Sequence, residues 1–210
     1  MKNSAIKEKK RPVKELRDQL RRDQIVSAAQ TCVVRHGFHA ASMGQIAAEA
    51  QMSVGQIYRY FPSKEAIVHA IVERIVSKRL EWMINREARI NFAAVFAHRG
   101  VIRCSPDEHS DRILLLEVTA EASRNPAVAE IVREADRRIH RQAEELVRAD
   151  YPEFTAAEIA ARVEFIAVLS EGSAFRRVTE QSADPALLEA IYGDALRKLF
   201  PRMTQDGLWG

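Results

Sequence analysis

The sequence predicts an all-α fold, a small N-terminal three-helix domain followed by a larger helical domain. Three observations carry that prediction. Ala, Leu, Arg and Glu dominate a chain of 210 residues that holds only 8 glycines, a helical composition and not that of a sandwich or barrel. Apolar side chains recur at three- and four-residue spacing along most of the chain, and no alternating strand pattern competes. Apolar residues make up 47% of the whole, enough to bury a core and to set general disorder aside.

The elements follow in order. Residues 1–17 are polar and basic, with Lys2, Lys7, Lys9, Lys10, Arg11, Lys14 and Arg17 interrupted by Pro12. They read as a mobile arm, either a solvated tail or a source of phosphate or minor-groove contacts. A first helix is expected from about Asp18 to His36, because Ile25, Ala28, Ala29, Cys32 and Val33 form one stripe. Gly37 suits a left-handed stop. Ser42 caps a second helix, Met43 to Ala50, and Ser53 caps a third, Val54 to Phe61. Pro62 ends it, and Ser63 caps a fourth helix reaching to about Met83, a connector ending near residue 84. A short helix over Asn91–His98 and a loop over Gly100–Pro106 come next. Four further helices are expected: Asp111–Arg124, Ala127–Ala149, one capped by Thr155 and running to about Glu180, and Pro185–Phe200. The division is therefore 1–17, 18–66 with its connector, and 85–210.

Charge is unevenly spread. Residues 1–90 carry 17 Lys+Arg against 9 Asp+Glu, and residues 91–210 carry 15 against 20. A basic front and an acidic back point to a polyanion at the front only. Two cysteines, Cys32 and Cys104, are too few for a disulfide framework. No apolar run reaches the roughly 18 residues of a membrane span and no signal peptide precedes the first helix, so a cytoplasmic protein without a membrane partner is expected. The six histidines, His36, His39, His69, His98, His109 and His140, lack metal-ligand spacing. There is no glycine-rich phosphate loop and no nucleophile elbow. An enzyme, a metal site and a cofactor are not expected. A helical adaptor without a nucleic-acid role is the other rival, and the basic front argues against it.

Two short helices joined by a tight turn make a helix-turn-helix over residues 42–61. The second is brief enough for its N-terminal end to enter a major groove while the first braces it. Here the residues are specific. Gly37-Phe38, then Ser42-Met43-Gly44-Gln45-Ile46-Ala47, then Ser53-Val54-Gly55-Gln56-Ile57-Tyr58-Arg59-Tyr60-Phe61-Pro62-Ser63-Lys64 resemble the TetR-family DNA-binding domain over roughly residues 21–70. The chain departs from the family in the turn, where Ala50-Gln51-Met52-Ser53 replaces Ala-Gly-Val-Ser. Either Gln51 takes up, at some cost, the left-handed backbone that glycine tolerates, or the turn differs slightly. By position, the resemblance implies phosphate contacts at Ser42, Tyr60 and Lys64, with Ser53 at the start of the recognition helix. It implies a base-reading face at Val54, Gly55, Gln56 and Tyr58, with Arg59 either in contact or merely solvated. Gln56 could pair with an adenine edge or a phosphate.

The resemblance further implies a homodimer on a palindromic double-stranded operator, a repressor released by a small-molecule effector. Dimer residues are expected on the last two helices: Ala161, Val168 and Gly172, with Leu188, Ile191 and Leu196. The middle helices would enclose the effector, with Trp82, Met83, Phe92, Phe96, Leu114, Val118, Phe165 and Phe175 as wall residues or as plain core. Glu117 and Glu121 lie four apart on a leucine-rich helix. They would either draw a lipophilic cation into a cavity or pair with arginines such as Arg124 and Arg138. The alternative effector is neutral or anionic, such as a fatty acyl group.

Overall fold

A computed structural model describes residues 2–84, 106–176 and 182–202. Among them are eight helices: α1 (Lys2–Ala40), α2 (Met43–Glu49), α3 (Val54–Tyr60), α4 (Lys64–Ile84), α5 (Pro106–Ala122), α6 (Pro126–Asp150), α7 (Ala156–Arg176) and α8 (Pro185–Leu199). The short helix expected at Asn91–His98, the loop from Gly100 and the stretch around Glu180 lie outside the described residues.

Contacts divide the chain into two compact units, residues 1–74 with 113–133, and residues 75–112 with 134–210. In the first unit α1 contributes one buried stripe: Ile25, Val26, Ala28, Ala29, Cys32 and Val33. These are the i, i+3, i+4, i+7 positions of one helix face. The helical backbone breaks at Gly37, with φ 79° and ψ 160°, conformations that glycine reaches without a Cβ clash. The start of α1 differs from expectation. Helix begins at Lys2, ahead of Asp18, because an apolar stripe reports only the packed part of a helix. A lysine- and glutamate-rich run has ample helix propensity and no stripe to reveal it.

Each short helix opens on a reciprocal cap. Ser42 Oγ accepts from Gln45 N–H while Gln45 Oε1 accepts from Ser42 N–H. Ser53 and Gln56 repeat the arrangement on α3. Each box satisfies two backbone donors that a helix start leaves without intrahelical partners. Behind them Ile46, Ala47, Ala50, Ile57, Phe61, Ile67, Val68, Ile71 and Val72 are buried. Two polar ties fix α1 to this core. Gln24 Nε2 donates to Ala50 O at the end of α2, at 2.8 Å. The Arg74 guanidinium on α4 reaches Ser27, Gln30 and the Asp23 carboxylate, the last at 3.1 Å. Phe38, Ala41, Leu114, Val118 and Val128 are buried in this unit as well.

In the second unit Val147, Tyr151, Ile159, Val163, Leu196 and Phe200 form one core drawn from α6, α7, α8 and the segments at their ends. Tyr151 stacks on Phe154 at 4.9 Å between ring centroids. Thr155 and Glu158 cap α7, as the sequence indicates for Thr155. Asp184 caps α8, with Pro185 in its first turn, where its missing N–H has no intrahelical partner to lose.

Candidate nucleic-acid interface

The turn between α2 and α3 is closed by backbone hydrogen bonds. Gln51 N–H donates to Ala48 O at 3.1 Å and Met52 N–H to Ala47 O at 2.9 Å. Closing it places Gln51 at φ 54°, the one non-glycine with positive φ among the described residues. Of the two options for this turn, the left-handed Gln51 is the one present.

Helix α3 is two-faced. Ile57 is 0% exposed and anchors the helix, while Val54 is 40% and Tyr58 50% exposed. Gly55 has open space where a Cβ would stand, so another surface can approach the backbone closely there. Gln56 and Arg59 are exposed on the same short helix. The α3 cap narrows what Gln56 offers. Its Oε1 accepts from Ser53 N–H at 2.8 Å and keeps one lone pair beside the NH2 group. A bidentate grip on an adenine edge needs both ends of the amide and would share that oxygen with the cap; donation to a phosphate or another acceptor would leave the cap untouched.

Two of the phosphate candidates already have protein partners. Tyr60 Oη lies 3.4 Å from Asp18 Oδ1 on α1. Lys64 Nζ donates to Phe38 O and also reaches His39 O at 3.4 Å, and it stands 4.4 Å over the Phe38 ring. Burial holds its pKa below the usual lysine value, although the Glu121 and Glu65 carboxylates favour its charge. Lys64 is thus a clamp on the Gly37–His39 break, with capacity for a third hydrogen bond. Ser42 and Ser53 are exposed beside their caps.

Residues 25–71 match the family described as bacterial regulatory proteins, tetR family. Residues 98–201 match the C-terminal domain of BetI-type transcriptional repressors. The chain belongs to the TetR family. Among curated relatives it is similar to the HTH-type transcriptional regulator UidR of Escherichia coli (strain K12), 30% identical over 112 residues, 53% of this chain and 57% of UidR. It is also similar to HbdR of Aromatoleum sp. (strain CIB), 26% identical over 136 residues, 61% of this chain and 57% of HbdR. Each match thus spans little more than half of the relative. Salmonella enterica GusR shares the fold with a TM-score of 0.67 at 23% identity, covering 86% of this chain and 95% of GusR.

The effector candidates of this TetR-family chain fall apart into groups. Leu114 and Val118 are buried in the first unit, the unit of the helix-turn-helix, and so pack there as core. Glu117, in the same unit, accepts from Phe38 N–H at 2.9 Å. Glu121 is buried, with Asn125 Nδ2 at 3.3 Å from Oε1 and Arg124 at 2.9 Å from Oε2. The Arg124 contact is an ion pair without hydrogen-bond alignment, since Oε2 lacks a hydrogen-bond partner. Both carboxylates are engaged by protein groups, and Glu121 has the Arg124 partner that the sequence offered as one option. Phe165 is exposed on α7 and Met83 is half-buried on α4. Phe92, Phe96 and the side chains of Trp82 and Phe175 lie outside the described residues.

On α7 and α8, Ala161, Val168, Gly172 and Ile191 are exposed, and Leu188 is half-buried. Leu196 is a correction: it is fully buried in the core of its own unit and has no surface to give a partner. Its spacing of eight residues from Leu188 and three from Leu199 did not separate the inner face of α8 from the outer one. Sequence reasoning missed the Arg74 hub, the cap role of Gln56 and the Glu117–Phe38 bond. The Ser-x-x-Gln spacing signals the cap; nothing local signals a bond across 79 positions.

Proposed function

We propose that this chain is a dimeric transcriptional repressor that binds a palindromic operator and releases it when a small apolar effector binds. The observation that carries this reading is the two-faced α3: Ile57 buried beneath, Val54, Gly55, Gln56 and Tyr58 exposed above. A helix of seven residues braced from behind and bare at its N-terminal end fits a major groove. The excess of positive charge in residues 1–90 supplies the attraction to phosphate. Val168, Leu187, Ile191 and Phe165 leave α7 and α8 with exposed apolar surface, which a second copy would cover to set two recognition helices on two half-sites.

Release requires the effector to bind the DNA-incompetent arrangement better than the competent one. The Glu117 carboxylate is engaged by Phe38 N–H, and that of Glu121 by Asn125 and Arg124. Those contacts favour a neutral or anionic apolar molecule over a lipophilic cation. The test of the reading frame is Tyr58→Ala. It should lose about 1–3 kcal/mol on the operator and little on random DNA. Equal losses on both would remove Tyr58 from the base-reading face.

A further inference from the structure

The break between α1 and α2 is gripped from two sides. From one, Lys64 at the start of α4 donates to the carbonyls of Phe38 and His39 and covers the Phe38 ring. From the other, the Glu117 carboxylate of α5 accepts from Phe38 N–H at 2.9 Å. That carboxylate lies so near Gly37 that a Cβ there would stand 3.4 Å from Glu117 Oε2. Two successive peptides are thus fixed, the Gly37–Phe38 peptide at its N–H by α5 and the Phe38–His39 peptide at its C=O by α4. Glu121, one turn beyond Glu117, also favours the Lys64 charge. The apolar residues beside Glu117, Leu114 and Val118, are fully buried in the same unit, so the carboxylate is held by a rigid helix face and not by a mobile side chain alone.

We propose that Glu117 is a positioning residue for the recognition helix, and that its bond to Phe38 is the link through which a displacement of α5 reaches α2 and α3. The inference rests on the DNA-binding reading above. Phe38 leads through Ala41 into the Ser42 cap, so the direction in which α2 leaves the break follows the Phe38 peptide. A shift of α5 that drags Glu117 either rotates this peptide or breaks a hydrogen bond to a charged acceptor, and both outcomes change where α3 points. Lys64 holds the following peptide by the Phe38 carbonyl.

The test uses the full-length protein as wild type, Glu117→Gln and Glu117→Ala. Fluorescence anisotropy would follow binding to a duplex from upstream of its own gene and to a random duplex of equal length. Glu117→Ala should lose about tenfold in affinity for the upstream duplex, the scale of one hydrogen bond to a charged group. Its affinity for random DNA should stay within about twofold. Glu117→Gln keeps an acceptor oxygen at the same place and should recover most of the loss. A merely structural residue would lower both affinities together along with the melting temperature. If wild type prefers the upstream duplex and Glu117→Ala prefers it equally, or if Gln and Ala behave alike, the proposal is overturned while the DNA-binding reading stands. If wild type has no preference for the upstream duplex, that reading falls and the proposal falls with it.

Discussion

Replacing Gln51 by glycine should stabilise the first unit. Gln51 sits at φ 54°, and a left-handed backbone costs an L-residue about 1–2 kcal/mol. Glycine removes that cost but has more freedom to lose on folding, about 0.5–1 kcal/mol. The difference is a gain of about 0.5–1 kcal/mol. Little else changes, because the side chain is exposed and the turn bonds from Gln51 N–H and Met52 N–H are backbone bonds. For a chain of this size the gain corresponds to a melting shift of about 1–4 °C. The assay is thermal and urea unfolding at fixed protein concentration, since dimerisation would make both concentration-dependent. Gln51→Ala is the control: it keeps the Cβ and therefore the strain, and should stay within about 0.5 kcal/mol of wild type. A midpoint for Gln51→Gly at or below that of Gln51→Ala would refute the strain argument.

His140 on α6 lies between Asp136, with Nδ1 3.0 Å from Oδ1, and Glu164 of α7, with Nε2 3.2 Å from Oε2. Burial disfavours its charge, but Asp136 and Glu164 outweigh it and raise its pKa above 6.5. A raised folded pKa means the contribution is full below 6.5 and fades as pH climbs through the folded value. Stability should therefore fall over that window in wild type and fall less in His140→Gln, as read by melting across pH. Val168→Glu with Ile191→Glu places charge on surface that is 56% and 64% exposed in one chain. It should shift sedimentation from dimer to monomer with little change in helicity, because the same groups buried between two copies would be unpaired charges. A double variant that sediments as wild type would move the dimer face elsewhere.

Much of this architecture was legible in the residues because its signals are local. Ser42 and Ser53 mark helix starts, and Gly37 a helix stop, by residue type and place. What escaped has the opposite character. The helix before Asp18 has no apolar stripe to mark it. Leu196 and Ile191 share a spacing pattern, yet one is core and the other exposed, and only tertiary packing distinguishes them. Glu117 and Glu121 stayed open between a ligand and arginine partners, because the bond to Phe38 and the pair with Arg124 cannot be weighed without the fold. Gln56 was legible as a polar group on the reading face, while the binding of its carbonyl by Ser53 limits what it can read.

The most direct measurement is the affinity of the wild-type protein for an inverted repeat upstream of its own gene and for random DNA, by anisotropy across a salt series. The account predicts two chains per repeat, a preference of about a thousandfold or more, and affinities for both duplexes that fall steeply as salt rises. Equal affinity for the two duplexes at every salt concentration would contradict it.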